Sequence, residues 1–311
     1  LVIAMDWDLY AAARSLLDAG GPTEALALLR AARRTGPLAG PLGTLEARCL
    51  LMGARPAEAA AALRAVIAGG DADYWTFRHL AEAERECGDW PAVAAAHRRS
   101  HAAIGWPESL AAGYVMTHDY FSHNIPDWTR WFAAHVPAAP IAALEIGSWQ
   151  GASACWLLDR IVGPRGGRLT CIDTFEGSSE HQGWLAAVTG ATGQTIEALF
   201  DANTARTGRA TQLRKLVGAS ADLLPGLRGE RFDFIYVDGA HEAKQVIQDA
   251  VLCWALLPPG GCLLFDDLPF TFPQQPEQDT ARAVDFFLSV FAADLTVLER
   301  GRQLLLRRDR A

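Results

Sequence analysis

The sequence predicts a two-part protein: an all-α, repeat-like first part, then an α/β part built on a parallel sheet. Three observations predict it. A helical motif recurs at a spacing of 34 residues near the start of the chain. From Ile141 onward, short apolar runs alternate with helical stretches, as they do where crossover helices cover both faces of a sheet. The chain ends in two strand-like runs joined at Gly301, which read as an antiparallel hairpin.

Composition bounds what this protein does. Its 311 residues allow one large domain or two ordinary ones. Half the residues are hydrophobic (50%) and 21% are charged, which excludes a disordered chain. No apolar run is long enough to span a bilayer. The net charge of -8 argues against a nucleic-acid partner, which needs a basic face. The opening LVIAMDWD lacks a basic segment and soon meets Asp6, which reads against a signal peptide. The 6 cysteines are scattered, with no CxxC and no zinc spacing. They are expected to be free, buried thiols in a cytoplasmic protein. Only Lys215 and Lys244 are lysines among 28 basic residues, which reflects base composition rather than chemistry. The 10 tryptophans exceed what a core needs, leaving some for a bulky organic ligand.

Residues 1–108 contain no convincing strand. TEALALLRAARR starts at Thr23, AEAAAALRAVIA at Ala57 and PAVAAAHRRSHA at Pro91. Ala27, Ala61 and Ala95 fall in register, as do Arg30, Arg64 and Arg98. Ala25 and Ala59 are matched by Val93, and Leu29 and Leu63 by His97. Gly-containing breaks precede each stretch. A period of 34 residues with small residues at fixed helix positions resembles tetratricopeptide repeats, in which small residues let paired helices pack closely. An irregular helical bundle is the alternative.

Residues 109–140 read as an aromatic connector or lid, ending in a helix that Pro126 and Asp127 start and that carries Trp128 and Trp131. The α/β part covers residues 141–311. Its strands are expected at 141–147, 168–173, 211–218, 232–238 and 261–267, with the hairpin at 294–300 and 302–308. Helices are expected at 151–162, 192–202, 220–228 and 241–256. Such a sheet binds ligands at the C-terminal ends of its parallel strands.

The chemistry-bearing residues cluster at those ends. The first strand runs into Glu145-Ile-Gly147-Ser148-Trp149-Gln-Gly151, a turn where glycines let a ligand approach the backbone. Its GxxxG spacing disfavours a nicotinamide cofactor. The second strand ends in Asp173, placed to take both hydroxyls of a ribose; alternatively it is a loop or cap acid. The third is followed by Ser220, a cofactor contact or a simple helix cap. The fourth ends at Asp238 with His241 three residues on, and the fifth ends at Asp266-Asp267. Three carboxylates at adjacent strand ends need a cation or protons, and a hard divalent ion, Mg²⁺ first, satisfies them. His241, with an ordinary pKa of about 6.5, suits a general base at neutral pH. Alternatively these are a solvated acid, a helix cap and a surface histidine.

LEIGSWQG, CIDTFEG, VGASADLLPGL and FDFIYVDGAH together resemble the motifs of class I S-adenosylmethionine-dependent methyltransferases. The resemblance spans residues 141–311 and is nearest to the metal-dependent O-methyltransferases, the catechol and macrocin-type sugar enzymes among them. It implies a Rossmann-like seven-stranded sheet, with S-adenosyl-L-methionine and Mg²⁺ or another divalent ion as cofactors. Asp238, Asp266 and Asp267 match the metal ligands in type and spacing, and His241 stands where the macrocin-type enzymes carry a catalytic His. Glu145, Gly147, Trp149 and Ser153 would line the methionine end of the cofactor. Ser148, Gly151, Thr174 and Asp238 would complete its pocket, with Asp173 on the ribose and Ser220 on the adenine edge. Ala221 departs from the Gln of the catechol enzymes. The long stretch between Asp173 and Ser220 would cover the substrate side, where Phe175, Trp184 and Phe270 would wall an organic acceptor.

The expected activity is methyl transfer to a hydroxyl of a small molecule, a sugar or a glycosylated or polyphenolic metabolite. Two alternatives remain open. The helical part could dock a carrier- or peptide-bound acceptor, or the protein could be a non-catalytic interaction module. The helical part also leaves open a second subunit or a protein partner. No membrane partner is expected.

Overall fold

The computed structural model describes residues 6–32, 38, 40–178 and 181–310. The first five residues, on which the reading against a signal peptide partly rests, lie outside them. The chain divides into two compact units, Leu1–Asp119 and Tyr120–Ala311. The segment read as a connector is therefore shared. Helix α7 (Pro107–Ala112) belongs to the first unit and helix α8 (Ile125–His135) to the second.

In the first unit, three helix pairs precede α7. They are α1 (Trp7–Asp18) with α2 (Pro22–Ala32), α3 (Gly40–Met52) with α4 (Pro56–Gly69), and α5 (Tyr74–Glu86) with α6 (Trp90–Ala103). The second helix of each pair carries the recurring motif, and those helices start 34 residues apart. Pro22, Pro56 and Pro91 sit in first turns, where a missing N–H costs nothing. Asp6, Asp73 and Asp89 cap α1, α5 and α6 through their side chains.

Packing uses the positions whose letters vary. Ala25, Ala59 and Val93 are buried, as are Leu29, Leu63 and His97. The identical alanines fare differently: Ala27 and Ala61 are exposed and Ala95 is half-buried. The registered arginines do tie each pair to the next stretch of chain. Arg30 donates to Glu46 at 3.1 Å, Arg64 to Glu84 at 2.6 Å and Arg98 to the Tyr114 carbonyl at 3.0 Å. The first and last bridge 16 residues, and the middle one reaches a helical turn further.

The second unit is a seven-stranded sheet. Its strands are β1 (Ala142–Ile146), β2 (Arg168–Asp173), β3 (Leu213–Val217), β4 (Phe234–Val237), β5 (Cys262–Phe265), β6 (Leu295–Arg300) and β7 (Leu304–Arg308). The order is β3-β2-β1-β4-β5-β7-β6. The first five strands are parallel; β7 is antiparallel to β5 and to β6. This is the Rossmann-like sheet with a terminal hairpin that the strand pattern predicts.

The helices are α9 (Ala152–Leu157, continued by a π-helical turn over Leu158–Val162), α10 (Gln182–Thr192), α11 (Ile196–Arg206), α12 (Ser220–Leu223), α13 (Ala243–Trp254) and α14 (Thr280–Phe291). Sequence reading missed α10 and α14. The Gly- and Ala-rich α10 has little periodicity. In α14 the signal was present, since Ala283, Val284 and Phe287 are buried at helical spacing.

One core of the second unit joins β1, β4, β5 and β7 to α13 and α14. Elsewhere Trp128, Phe132, Trp156, Phe234 and Tyr236 form an aromatic cluster in which Trp128 meets Tyr236 edge-on, with centroids 4.8 Å apart. Trp106, Trp128 and Trp156 are fully buried, so packing claims part of the tryptophan excess. All six cysteines are free, but Cys87 is exposed rather than buried, because it follows the last turn of α5. No helix among the described residues is long and apolar enough to cross a membrane.

Candidate active site

Parallel strands β1, β2, β4 and β5 deliver their C-terminal residues to one edge of the second unit. The tightest turn there follows β1. Gly147 has a φ of +84°, and a Cβ on it would lie 1.9 Å from the Asp238 carbonyl, so only glycine lets the ends of β1 and β4 meet. Among the described residues four non-glycines have positive φ, and three of them stand at these strand ends: Trp149, Phe175 and Asp267. Such backbone costs on the order of 1–3 kcal/mol per residue and concentrates at functional sites.

Asp173 braces this turn. One carboxylate oxygen accepts the Ser148 and Trp149 N–H groups at 2.6 and 2.7 Å, and the other accepts the Phe175 N–H at 2.6 Å. The acid read as a ribose ligand therefore already fixes the glycine-turn backbone. It is half-buried and keeps lone pairs for a hydroxyl. Glu145 is fully buried and accepts from Ser148 Oγ and Cys171 Sγ. Burial pushes its pKa up to about 7, against the pull of those bonds. Ser153 is buried, Gly151 opens α9 with a φ of 83°, and Thr174 is exposed. Ser220 is half-buried and partly offsets the burial of Asp249, an acid of α13 whose pKa burial raises to about 6. Nothing in the motifs had singled out Asp249.

Across the β4–β5 edge, Asp238, His241 and Asp267 bring their ligand-capable atoms within 4.8 Å of one another. His241 Nε2 lies 3.3 Å from Asp267 and 4.0 Å from Asp238. Asp266 is not in this group. Its carboxylate points into the fold, where it accepts from the Tyr236 hydroxyl, from Gln303 Nε2 at 2.8 Å and from the Asp267 N–H at 2.7 Å. β5 ends at Phe265 and the backbone turns left-handed at Asp267, so the two adjacent acids leave the strand end in different directions. The Tyr236 hydroxyl also lies 2.8 Å from Asp238, so its single proton is shared between the two acids. Burial first, and the neighbouring acids second, hold Asp238 and Asp266 above the usual carboxylate range. Asp267 is lowered: its burial is outweighed by His241 and Arg302.

The aromatic residues expected to wall an acceptor separate. Phe270 stacks on the His241 ring at 4.4 Å, fixing its plane, and the Thr280 hydroxyl holds the His241 carbonyl at 2.9 Å. Phe175 is buried against Phe200, with Lys215 over its ring. Trp184 is 40% exposed on α10. A different set stands beside the glycine turn: Trp149 packs on His181 at 4.7 Å, and Tyr120 meets both. Tyr120 and His181 carried no spacing signal because α10 and the chain before α8 are irregular.

Residues 144–268 match the model of a family described as a methyltransferase domain. No curated protein matches the chain. Solved structures with partial similarity include the O-methyltransferase TomG of Streptomyces achromogenes, involved in tomaymycin synthesis and solved with SAM. It shows 21% identity over 59% of this chain and 80% of that one, with a TM-score of 0.44. An O-methyltransferase from Bacillus cereus in complex with SAH shows 17% identity over 67% and 90%, with a TM-score of 0.45. The MycE methyltransferase of the mycinamycin pathway, solved with Mg and SAH, shows 14% identity over 66% and 54%, with a TM-score of 0.45.

Proposed function

We propose that the protein is an S-adenosylmethionine-dependent O-methyltransferase acting on a small hydroxylated acceptor, with a divalent cation at the Asp238–Asp267 edge. The observation that carries this reading is the convergence of His241 with two acids beside a glycine turn, inside the segment that matches a methyltransferase domain. The two carboxylates of Asp238 and Asp267 fit a hard divalent ion, with the His241 imidazole beside them to take a proton rather than to ligate. Bound there, the ion would acidify and orient an acceptor hydroxyl.

The chain's own residues do the rest. Gly147 and Gly151 admit the cofactor to the backbone, and Asp173 sets the turn and offers its free lone pairs to the ribose. Glu145, Ser148, Trp149 and Ser153 would line the methionine end, Thr174 and Asp238 the mouth, and Ser220 the adenine edge. His241 Nε2 accepts the hydroxyl proton as the oxygen takes the methyl group. S-adenosylmethionine would supply the methyl group, its S–CH₃ electron pair passing to sulfur as the O–CH₃ bond forms. Phe270 and Thr280 keep the imidazole from turning away, which preserves the in-line arrangement that supplies much of the rate. Trp184 and the Tyr120–Trp149–His181 rim would face the acceptor.

The helical unit is proposed to be tetratricopeptide-like, its three pairs leaving room for a tethered acceptor, a protein partner or a second subunit. Six scattered cysteines with no disulfide spacing support a cytoplasmic location. The test is incubation with labelled S-adenosylmethionine and Mg²⁺ across sugars, glycosylated metabolites and catechols. Labelled product that vanishes in excess chelator and returns with Mg²⁺ is expected; undiminished turnover in chelator removes the ion. Transfer only to a carrier-bound acceptor would favour docking by the helices. Failure to bind S-adenosylmethionine in calorimetry would end the enzymatic reading.

A further inference from the structure

The turn between β6 and β7 grips the acid pair that ends β5. Arg302 donates to Asp267 Oδ1 at 2.8 Å, and its carbonyl accepts the Leu268 N–H at 2.9 Å. The next residue, Gln303, donates its amide to Asp266 at 2.8 Å and accepts the Trp128 indole N–H at 2.8 Å. Gln303 is 3% exposed and Trp128 is fully buried. Both ends of the amide are thus committed: the NH₂ must face the carboxylate, and the oxygen must face the indole. A single line of contacts runs from α8 to the strand ends: Trp128, Gln303, Asp266, Tyr236, Asp238.

The two grips differ in charge. Arg302 cancels part of the charge of Asp267. Gln303 and Tyr236 are neutral donors, which orient Asp266 and Asp238 without compensating them. An uncompensated acid held at a fixed angle suits cation binding, because its orientation is already set while its charge is kept for the ion.

We propose that Gln303 is a positioning residue for the divalent-cation site, fixing the buried acid beneath it, and that Arg302 beside it competes with the cation. The inference rests on the cation reading above. It extends that reading to a hairpin turn that no motif marked and that lies more than thirty residues beyond Asp267 in sequence.

The experiment titrates the full chain with Mn²⁺, following free ion by electron paramagnetic resonance. Gln303→Met keeps the bulk and loses the amide; it is expected to weaken Mn²⁺ binding about 10-fold. Trp128→Phe removes the indole donor together with part of a buried ring and should shift affinity in the same direction by less. Arg302→Gln removes the competing cation and should tighten binding about twofold, as befits an exposed pair. Opposite shifts from adjacent residues are the signature, since a hairpin that merely braces the fold would move both the same way. Wild-type affinity in Gln303→Met, or shifts of one sign in both turn variants, overturns the proposal while leaving the cation reading intact. A wild-type chain that binds no Mn²⁺ overturns both. Calorimetry with S-adenosylmethionine reports whether each variant is folded; should Gln303→Met fail there, unchanged Mn²⁺ affinity in Trp128→Phe overturns the proposal.

Discussion

Each unit buries acidic side chains and treats them in opposite ways. In the helical unit, the Asp119 side chain is sealed from solvent with Arg78 at 2.6 Å and His101 Nε2 at 3.2 Å. Burial alone would raise its pKa, but Arg78 and then His101 override it, and Asp119 lies well below the usual range. In the sheet unit, Asp238 and Asp266 are held by a tyrosine hydroxyl, an amide and a backbone N–H, and they are raised. Side chains of the same type, similarly buried, thus serve structure where a fixed cation cancels the charge, and at the strand ends are left without one, so that a proton or a bound cation would have to take its place. The non-glycine residues of positive φ follow the same division: among the described residues Trp149, Phe175 and Asp267 lie in the sheet unit, and Ala54 alone in the helical one.

The comparison breaks first at Asp119. Asp119→Asn leaves Arg78 largely buried and without its counter-charge, and is expected to destabilise the protein by about 3 kcal/mol at pH 7. Because the folded pKa is lowered, this contribution is present above about pH 4 and fades as pH falls through the folded value. Chemical denaturation at pH 7 and pH 3 checks it; an equal loss at both would mean that packing, not charge, carries the pair.

Glu145 should show the reverse sign. Its folded pKa of about 7 exceeds the unfolded one, so ionising it costs stability as pH rises from about 4.5 through 7. Glu145→Gln should therefore stabilise the cofactor-free protein at pH 8, by on the order of 3 kcal/mol, and do little at pH 4. Thermal unfolding across that range reads the difference.

His241→Ala should lower turnover at least about 100-fold, or about 2.7 kcal/mol of barrier, with S-adenosylmethionine affinity unchanged. A full-rate variant would remove the base. The smallest effect belongs to the helical unit: Arg64→Ala, which takes an exposed arginine from the buried Glu84, should cost about 1 kcal/mol and leave turnover on a free acceptor unchanged. A drop in turnover there would mean that function is not confined to the sheet unit.

The sequence by itself determined the two architectures and the seven strands, because apolar alternation and a 34-residue period are local properties of the chain. It also picked out Glu145, Gly147, Asp173, Asp238, His241 and Asp267, because parallel strands deliver their last residues to one edge. Tertiary structure decided which of these acids share a ligand-forming group. Asp266 and Asp267 are neighbours in sequence, yet one turns toward Gln303 and the other toward His241. Periodicity could not reveal Gln303, Trp128 or Asp249, since a hydrogen bond across 175 residues leaves no spacing signal. Nor does repetition of a letter say which face of an alanine-rich helix is buried: Ala27 and Ala61 recur but are exposed, while Ala25 and Ala59 pack. Side-chain partners depend on where the sheet order brings distant segments, and only the folded chain contains that information.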